Sequence, residues 1–151
     1  MRDAAVRLEP ITTDNVGAVY RLAVAQGQDA FVASNPWSLA QALAAGGTAW
    51  PRAIVAGEEV VGFLMLEIDP EEERGRTFFL WRLMVGAAFQ RRGYGSAAVA
   101  LAMEEVRRRD GTEIWTSWVD AEGGPAPFYA ELGFEPLGGI EAGEVVACRR
   151  L

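Results

Sequence analysis

The sequence predicts an α/β fold with one mixed sheet, an α+β arrangement in the order β-α-α-β-β-β-α-β-α-β-β. Half of the 151 residues are hydrophobic and 10% are aromatic, which suffices for one core and differs from the composition of disordered chains. Segments with period-two alternation are interleaved with segments of helical periodicity, as in layered α/β structures. No repeat, linker or low-complexity tract divides the chain, so we expect residues 1–151 to form a single domain.

The N-terminal residues predict a short strand followed by a helix. Residues 6–11 alternate the apolar side chains of Val6 and Leu8 with charged ones, as an edge strand does. Residues 13–25 carry apolar side chains at helical spacing, and Thr13 is the expected N-cap.

A second helix and a hairpin are expected next. Asn35 has the side chain of an N-cap and Pro36 suits the first helical position, so residues 37–45 are expected to be helical until a pair of glycines ends them. Residues 48–56 and 59–69 are two apolar runs separated by a Gly-Glu turn, which predicts an antiparallel hairpin.

The segment at residues 77–85 is an almost unbroken apolar strand. We therefore expect it in the middle of the sheet with both faces covered. A charged loop at residues 69–76 precedes it. Symmetric closure of that loop would place Arg82 opposite Leu64 and leave Glu67 on the other face.

The C-terminal half continues the alternation of helices and strands. The expected elements are a helix over residues 93–109, a strand over 113–119, a short helix over 125–132 and two strands within 134–151. In the first of these helices an apolar stripe repeats at helical spacing, and Asp110 and Gly111 are expected to stop it.

The composition excludes several kinds of catalysis. The chain has no histidine, and all 14 basic side chains are arginine. A Ser-His-Asp or Cys-His pair, a Schiff-base lysine and a P-loop lysine are therefore impossible. Cys148 is the single cysteine, so neither an internal disulfide nor a zinc site of the usual ligands is expected, and we expect no bound metal.

The charge and the hydropathy pattern bound the partners. A net charge of -7 disfavours nucleic acid as the main partner and mildly favours a cationic ligand. No apolar run approaches about 18 residues, and residues 1–10 have no signal-like pattern, so we expect a cytoplasmic protein without a membrane partner.

Residues 90–96, Gln-Arg-Arg-Gly-Tyr-Gly-Ser, carry the clearest chemical signal. They connect a buried strand to a helix, and Gly93 and Gly95 allow a tight turn close to a ligand. The free N–H groups of the following helical turn form an anion site, to which Arg91 and Arg92 add charge. Many glycine turns merely connect elements, so the spacing alone leaves a phosphate site and a plain connection both open.

Residues 90–95 resemble the Q/R-x-x-G-x-G/A pyrophosphate loop of the GNAT N-acetyltransferase superfamily. Residues 125–134, Pro-Ala-Pro-Phe-Tyr-Ala-Glu-Leu-Gly-Phe, resemble that family's FY..LGF segment. The resemblance implies the GNAT acyl-CoA N-acyltransferase fold over nearly the whole chain, with acetyl-CoA as acetyl donor and no metal.

Softer patterns resemble the bacterial spermidine/spermine (diamine) N-acetyltransferases. They lie at residues 31–35, 38–42, 80–85 and 143–146. Two positions depart from the family: Gly86 stands where that group commonly has an acidic residue, and Glu122 where many members have an asparagine that helps to hold the cofactor.

The resemblance implies direct transfer of acetyl from the thioester to a small primary amine, with a polyamine as the first candidate. Two alternatives stay open. The acceptor could be another amine, such as an antibiotic or a protein N-terminus, or the chain could be a non-catalytic CoA-binding module. Family habit also implies a homodimer.

The same resemblance assigns roles to residues of this sequence. Tyr129 would protonate the departing thiolate. Glu67 and Asp69, at the end of the third strand, are the candidates for the general base, and Glu67 is taken first. Strand residues 83–85 would hold the pantetheine arm and the developing oxyanion. The expected cofactor-binding residues are Leu83, Met84, Val85, Gln90, Arg91, Arg92, Gly93, Tyr94, Gly95, Ser96 and Phe128.

Trp37, Asp69 and Trp118 are the expected contacts of the acceptor, since aromatic faces and carboxylates attract ammonium groups. Core packing is the alternative role for either tryptophan, and a solvated strand end or an arginine partner is the alternative for Glu67 and for Asp69. Arg82, a charge within an apolar strand, is expected to form a structural ion pair or to face the acceptor cleft.

Overall fold

The computed structural model describes residues 5–151, and over this range the predicted order of elements is confirmed. Residues 1–4, part of the segment inspected for a targeting signal, lie outside the described residues. The strands are β1 (Val6–Pro10), β2 (Ala49–Ala56), β3 (Glu59–Ile68), β4 (Phe78–Val85), β5 (Glu113–Val119), β6 (Glu135–Pro136) and β7 (Glu144–Arg150). The α-helices are α1 (Val16–Arg21), α2 (Asn35–Ala45), α3 (Tyr94–Arg108) and α4 (Ala126–Glu131).

The seven strands within residues 5–151 form one mixed sheet in the order β1-β2-β3-β4-β5-β7-β6. Neighbouring strands are antiparallel except β4 and β5, which run parallel. These two strands share only two residue pairs, Phe79 with Trp115 and Leu80 with Thr116. Beyond Leu80 they are unpaired, so the sheet is open at its centre.

Helices cover both faces of the sheet. The predicted stripe of α3 is buried against one face, and its members are Val99, Ala102, Met103 and Val106. α1 and α2 cover the other face, where Val19 is fully buried beside Phe63 and Met65 of β3. No helix among the described residues is both long and apolar enough to span a bilayer.

The predicted pairing of Arg82 with Leu64 is wrong by one residue, whereas the pair of Leu66 with Leu80 keeps the register that this prediction implied. Met65 pairs with Arg82 and Leu66 with Leu80, so Trp81 is the extra residue of a β-bulge. Because Glu67 lies two residues from Met65, it lies on the same face of the sheet as Arg82 and not on the opposite one. β4 is central as predicted, but most of its side chains are only half-buried because the opening beside β5 leaves them accessible.

The first helix is shorter than the predicted 13–25. Leu22 is extended (φ -66°, ψ 138°), which ends α1 at Arg21. The chain then runs beside the end of β4, where the Ala87 N–H donates to the Ala23 carbonyl at 2.8 Å. Thr13 is not the N-cap: Asn15 precedes α1, and no side chain caps this helix.

The second helix begins with a different cap from the predicted one. Ser34 Oγ accepts a hydrogen bond from the Trp37 N–H at 3.3 Å, so Ser34 is the N-cap. Asn35 is buried, and its Nδ2 donates to the Val19 carbonyl at 2.8 Å, which ties α2 to α1. Gly46, with a φ of 64°, ends the helix as predicted.

Candidate functional site

The loop before α3 presents unpaired backbone N–H groups. Gly93 adopts the left-handed region (φ 80°) and no side chain caps the helix. Since an α-helix leaves its first N–H groups without an intrahelical acceptor, those of Tyr94, Gly95 and Ser96 are available to a ligand. The positive end of the α3 dipole lies at the same place, so this turn favours an anion.

The Gln90 side chain holds this loop in position. Its Nε2 donates to the Val85 carbonyl at 2.9 Å and to Gln28 Oε1 at 2.8 Å. The loop is thereby tied both to the end of β4 and to the connection between α1 and α2. Gln90 therefore organises the loop through its side chain, while the backbone presents the donors.

A cavity of about 400 Å³, here called the loop cavity, lies against this turn. It brings together every expected cofactor-binding residue except Arg92. These residues are Leu83, Met84, Val85, Gln90, Arg91, Gly93, Tyr94, Gly95, Ser96 and Phe128. Arg92 instead lines a separate surface pocket beside Val6 and Leu101, because the left-handed turn directs consecutive side chains of the loop to different sides.

A second cavity of about 660 Å³, here called the charged cavity, lies where β4 and β5 diverge. Its charged lining residues are Asp29, Arg82 and Glu144. The residues common to both cavities are Phe31, Val32, Leu83 and Tyr129. The two cavities therefore adjoin, and Tyr129 lies at their junction.

Tyr129 is held by aromatic packing on several sides. Its ring is stacked on Trp118 with centroids 5.2 Å apart, and it makes edge contacts with Phe128 and Phe134. Burial raises the pKa of Tyr129 to about 12, although a side-chain hydrogen bond with Thr116 acts in the opposite direction. The phenol is therefore protonated throughout the neutral range and can donate its proton or a hydrogen bond.

The structure places the three expected acceptor contacts outside both cavities. Trp118 is buried in the core beneath Tyr129, which is the alternative role considered for it. Trp37 is 58% exposed on α2. Asp69 Oδ1 accepts from the Glu71 N–H at 3.0 Å and so stabilises the turn after β3.

Glu67 also lies outside the lining of both cavities. Burial raises its pKa, and the negative charges of Asp69 and Glu72 add to this. The carboxylates that do face the charged cavity are Asp29 and Glu144, and Glu144 Oε2 accepts from Ser117 Oγ at 3.0 Å. Sequence reasoning missed both, because nothing local to residue 29 or 144 indicates that it reaches the centre of the sheet.

The two departures from the family pattern have different surroundings. A Cβ at Gly86 would lie 2.7 Å from Leu22 Cδ2, so the glycine lets the chain after α1 close over the end of β4. Glu122 is exposed in the connection between β5 and α4 and lines neither cavity. In residues 5–151 no group of three or more His, Cys, Asp or Glu side chains is arranged to hold a metal ion.

Comparisons with known proteins agree with this architecture. The model of the acetyltransferase (GNAT) family matches residues 16–134. Comparison with curated proteins returned no significant match. An acetyltransferase from Thermus thermophilus is similar in structure, with a TM-score of 0.80, 16% identity and 100% of both chains covered.

Two further solved structures contain a ligand. The PaiA N-acetyltransferase from Thermoplasma acidophilum, in complex with coenzyme A, has a TM-score of 0.70 and 11% identity, over 97% of this chain and 99% of that one. A GNAT family acetyltransferase from Elizabethkingia anophelis with acetyl-CoA bound has a TM-score of 0.67 and 13% identity, over 97% and 98%. These likenesses show the fold, and the family match covers most of the sequence: the chain belongs to the GNAT acetyltransferase family.

Proposed function

We propose that this protein transfers an acetyl group from acetyl-CoA directly to the primary amine of a small molecule. The observation that carries the proposal is the junction of the loop cavity with the charged cavity at Tyr129. One cavity offers backbone donors for a diphosphate, the other offers charged side chains for an amine, and the acetyl group would be transferred where they meet.

The loop cavity suits the diphosphate of coenzyme A. A Cβ added at Gly93 would meet nothing within 4 Å, so the space beside this backbone is open to a ligand. The N–H groups of Tyr94, Gly95 and Ser96 would donate to phosphate oxygens, as helix N-termini commonly do. Arg91, which lines the same cavity, adds a positive charge.

The unpaired end of β4 suits the pantetheine arm. Beyond Leu80 the backbone groups of β4 that face β5 have no partner strand within residues 5–151. An extended chain with amide groups can hydrogen-bond there as an added strand would. Those backbone N–H groups of residues 83–85 that point away from β3 would then stabilise negative charge on the thioester oxygen.

Acetyl-CoA supplies an acyl group activated as a thioester. The acceptor amine, whose free pKa is about 10, must lose a proton before its nitrogen can attack the carbonyl carbon. We assign this proton to Glu144, which lines the charged cavity and is oriented by Ser117. As the new C–N bond forms, the C–S bond breaks and its electron pair goes to sulfur.

Tyr129 would stabilise the departing thiolate. A phenol with a pKa of about 12 is a weaker acid than a free thiol, whose pKa is about 8.5. The burial that disfavours a tyrosinate also disfavours a thiolate formed beside it, so the pKa values of the phenol and the thiol are closer together in the site than these two numbers. Tyr129 therefore acts as a hydrogen-bond donor to sulfur while the C–S bond breaks. The thiolate then takes up the second proton that the nitrogen must lose to become an amide, so Tyr129 keeps its own proton at the end of the reaction.

The proposal is tested by measuring thiol release from acetyl-CoA against a panel of amines, with product mass to verify N-acetylation. The panel comprises spermine, spermidine, simple diamines, amino acids such as ornithine and lysine, an aminoglycoside and short peptides with a free N-terminus. A polyamine is the first candidate because of the sequence resemblance. Turnover with at least one amine is expected. Binding of acetyl-CoA without turnover of any amine would favour the non-catalytic module, and absence of acetyl-CoA binding would overturn the proposal altogether.

A further inference from the structure

Arg82 is a half-buried cation without an acidic partner. It lines the charged cavity, and no carboxylate oxygen of residues 5–151 lies within 4.0 Å of its guanidinium. Its Nη1 donates to the Trp81 carbonyl at 2.9 Å and its Nη2 donates to Gln41 Oε1 at 2.8 Å. Both acceptors are neutral, so the expected structural ion pair does not form.

Several donors of this guanidinium are unused. Arginine has five N–H donors, and the bonds to Trp81 and Gln41 engage two of them. Arg82 Nε is buried and has no hydrogen-bond partner among the described residues. A partly buried charge is stabilised fully only when its remaining donors are also satisfied.

The surroundings of Arg82 also leave its positive charge incompletely compensated. Burial lowers the pKa of Arg82, and the negative charge of Glu144 offsets this only in part. Glu144 itself accepts a hydrogen bond from Ser117 and does not reach the guanidinium. The charged cavity therefore contains a cation with unused donors, together with two carboxylates that attract a cation.

We propose that the acceptor is an amino carboxylate, whose carboxylate binds the remaining N–H donors of Arg82 Nη1 and Nη2 while its amine lies toward Glu144 and Tyr129. The buried Nε of Arg82 takes no part in this contact. The planar guanidinium matches a carboxylate in a bidentate manner. A polyamine, by contrast, could use the two carboxylates of this cavity but has no group that Arg82 can bind. This inference rests on the proposed function, since it specifies the acceptor class of the same site.

The test compares amines that differ only by a carboxylate: ornithine with 1,4-diaminobutane, and lysine with 1,5-diaminopentane. For the unmodified protein we expect kcat/KM to be at least about tenfold higher for the amino acid of each pair. In Arg82→Gln this ratio should fall to about threefold or less, through a higher KM for the amino acid with kcat largely retained. Arg82→Lys keeps the positive charge but lacks the planar guanidinium, so it should retain part of the preference for the amino acid over the diamine.

Arg150→Gln is the matched control, since Arg150 is an exposed arginine of β7 outside both cavities. It should leave the ratio unchanged, and thermal unfolding of each variant checks that the fold is retained. Equal or better turnover of the diamines by the unmodified protein would overturn this inference and leave the proposed function intact. Failure of every amine would instead overturn the proposed function.

Discussion

The two cavities are built in different ways. The loop cavity is formed largely by one continuous stretch of chain, residues 83–96, which runs from the end of β4 into α3. The charged cavity takes its ionic side chains from positions 29, 82 and 144, which lie on three distant parts of the sequence. The first could therefore be read from local sequence, and the second emerges only from the topology of the sheet.

Gly93→Val should have the largest effect, a loss of acetyl-CoA binding that arises in the loop cavity alone. Valine strains the left-handed turn and places its side chain where a ligand would lie. Loss of two charge-assisted hydrogen bonds costs roughly 3 kcal/mol, or about a hundredfold in affinity. Calorimetric titration with acetyl-CoA should thus detect no binding in the usual micromolar range.

Gly123→Val is the matched control for that change. Gly123 has a similar φ of 75° and equally open surroundings, but it lines neither cavity. It should bind acetyl-CoA as the unmodified protein does, even if both variants unfold at a lower temperature. Equal loss of binding in the two variants would mean that backbone strain, and not the loop cavity, explains the result.

Tyr129→Phe tests the junction of the two cavities. Phenylalanine keeps the stacking on Trp118, so we expect the fold and the affinity for acetyl-CoA to be preserved while kcat falls about a hundredfold. Because the pKa of Tyr129 is about 12, its phenol does not titrate between pH 6 and about 10. Between pH 6 and about 10, the pH profile of kcat should therefore have the same shape in the unmodified protein and in the variant. A fall in kcat at high pH that occurs only in the unmodified protein would refute the assignment.

Glu144→Gln tests whether the general base is Glu144 of the charged cavity or Glu67, the residue predicted from the sequence. Glutamine can still accept the hydrogen bond from Ser117 but cannot take a proton, so kcat/KM for the best amine should fall roughly tenfold or more. Glu67→Gln is the rival variant, since Glu67 was the predicted base. If its kcat/KM falls further than that of Glu144→Gln at the same pH, the assignment of Glu144 is wrong.

Glu67→Gln should act mainly on stability, with a small effect. Because the pKa of Glu67 is raised in the folded protein, the folded state binds this proton more tightly than the unfolded state. Ionised Glu67 therefore opposes folding at pH 8, and this penalty disappears as the pH falls below the ordinary value of 4.5. The variant should raise Tm by on the order of 1 °C at pH 8 and leave it unchanged at pH 4. An equal rise in Tm at both pH values would show that ionisation of Glu67 is not its cause.

Much of the fold was predictable because its signals are local. The Gly-Glu turn between β2 and β3, the stripe of α3 and the glycine turn at residue 93 each depend on near neighbours in sequence. The register of β4 was not predictable, because the bulge at Trp81 depends on how the strand meets β3 and β5. Ser34 and Asn35 both have cap-forming side chains, and only the buried bond from Asn35 to Val19 decides which of them caps α2.

In the candidate site, too, the residues of contiguous motifs were predictable and those brought together by the topology of the sheet were not. Tyr129 and the residues of the loop cavity belong to contiguous motifs, and the structure brings them together. Trp37, Asp69 and Trp118 were predicted from residue type and from their place at the start of a helix or the end of a strand, neither of which indicates which way a side chain faces. Asp29 and Glu144 reach the charged cavity only because β4 and β5 diverge and β7 pairs with β5.

In the proposed mechanism both substrates occupy the adjoining cavities at the same time. Initial rates measured while acetyl-CoA and the best amine are both varied test this most directly. We expect intersecting double-reciprocal lines and no acetylated protein when acetyl-CoA is added alone. Parallel lines with an acetyl group retained on the protein would contradict it, because they require a covalent intermediate. The pKa of Cys148, the single thiol, is raised to about 11, and Cys148 lies outside both cavities.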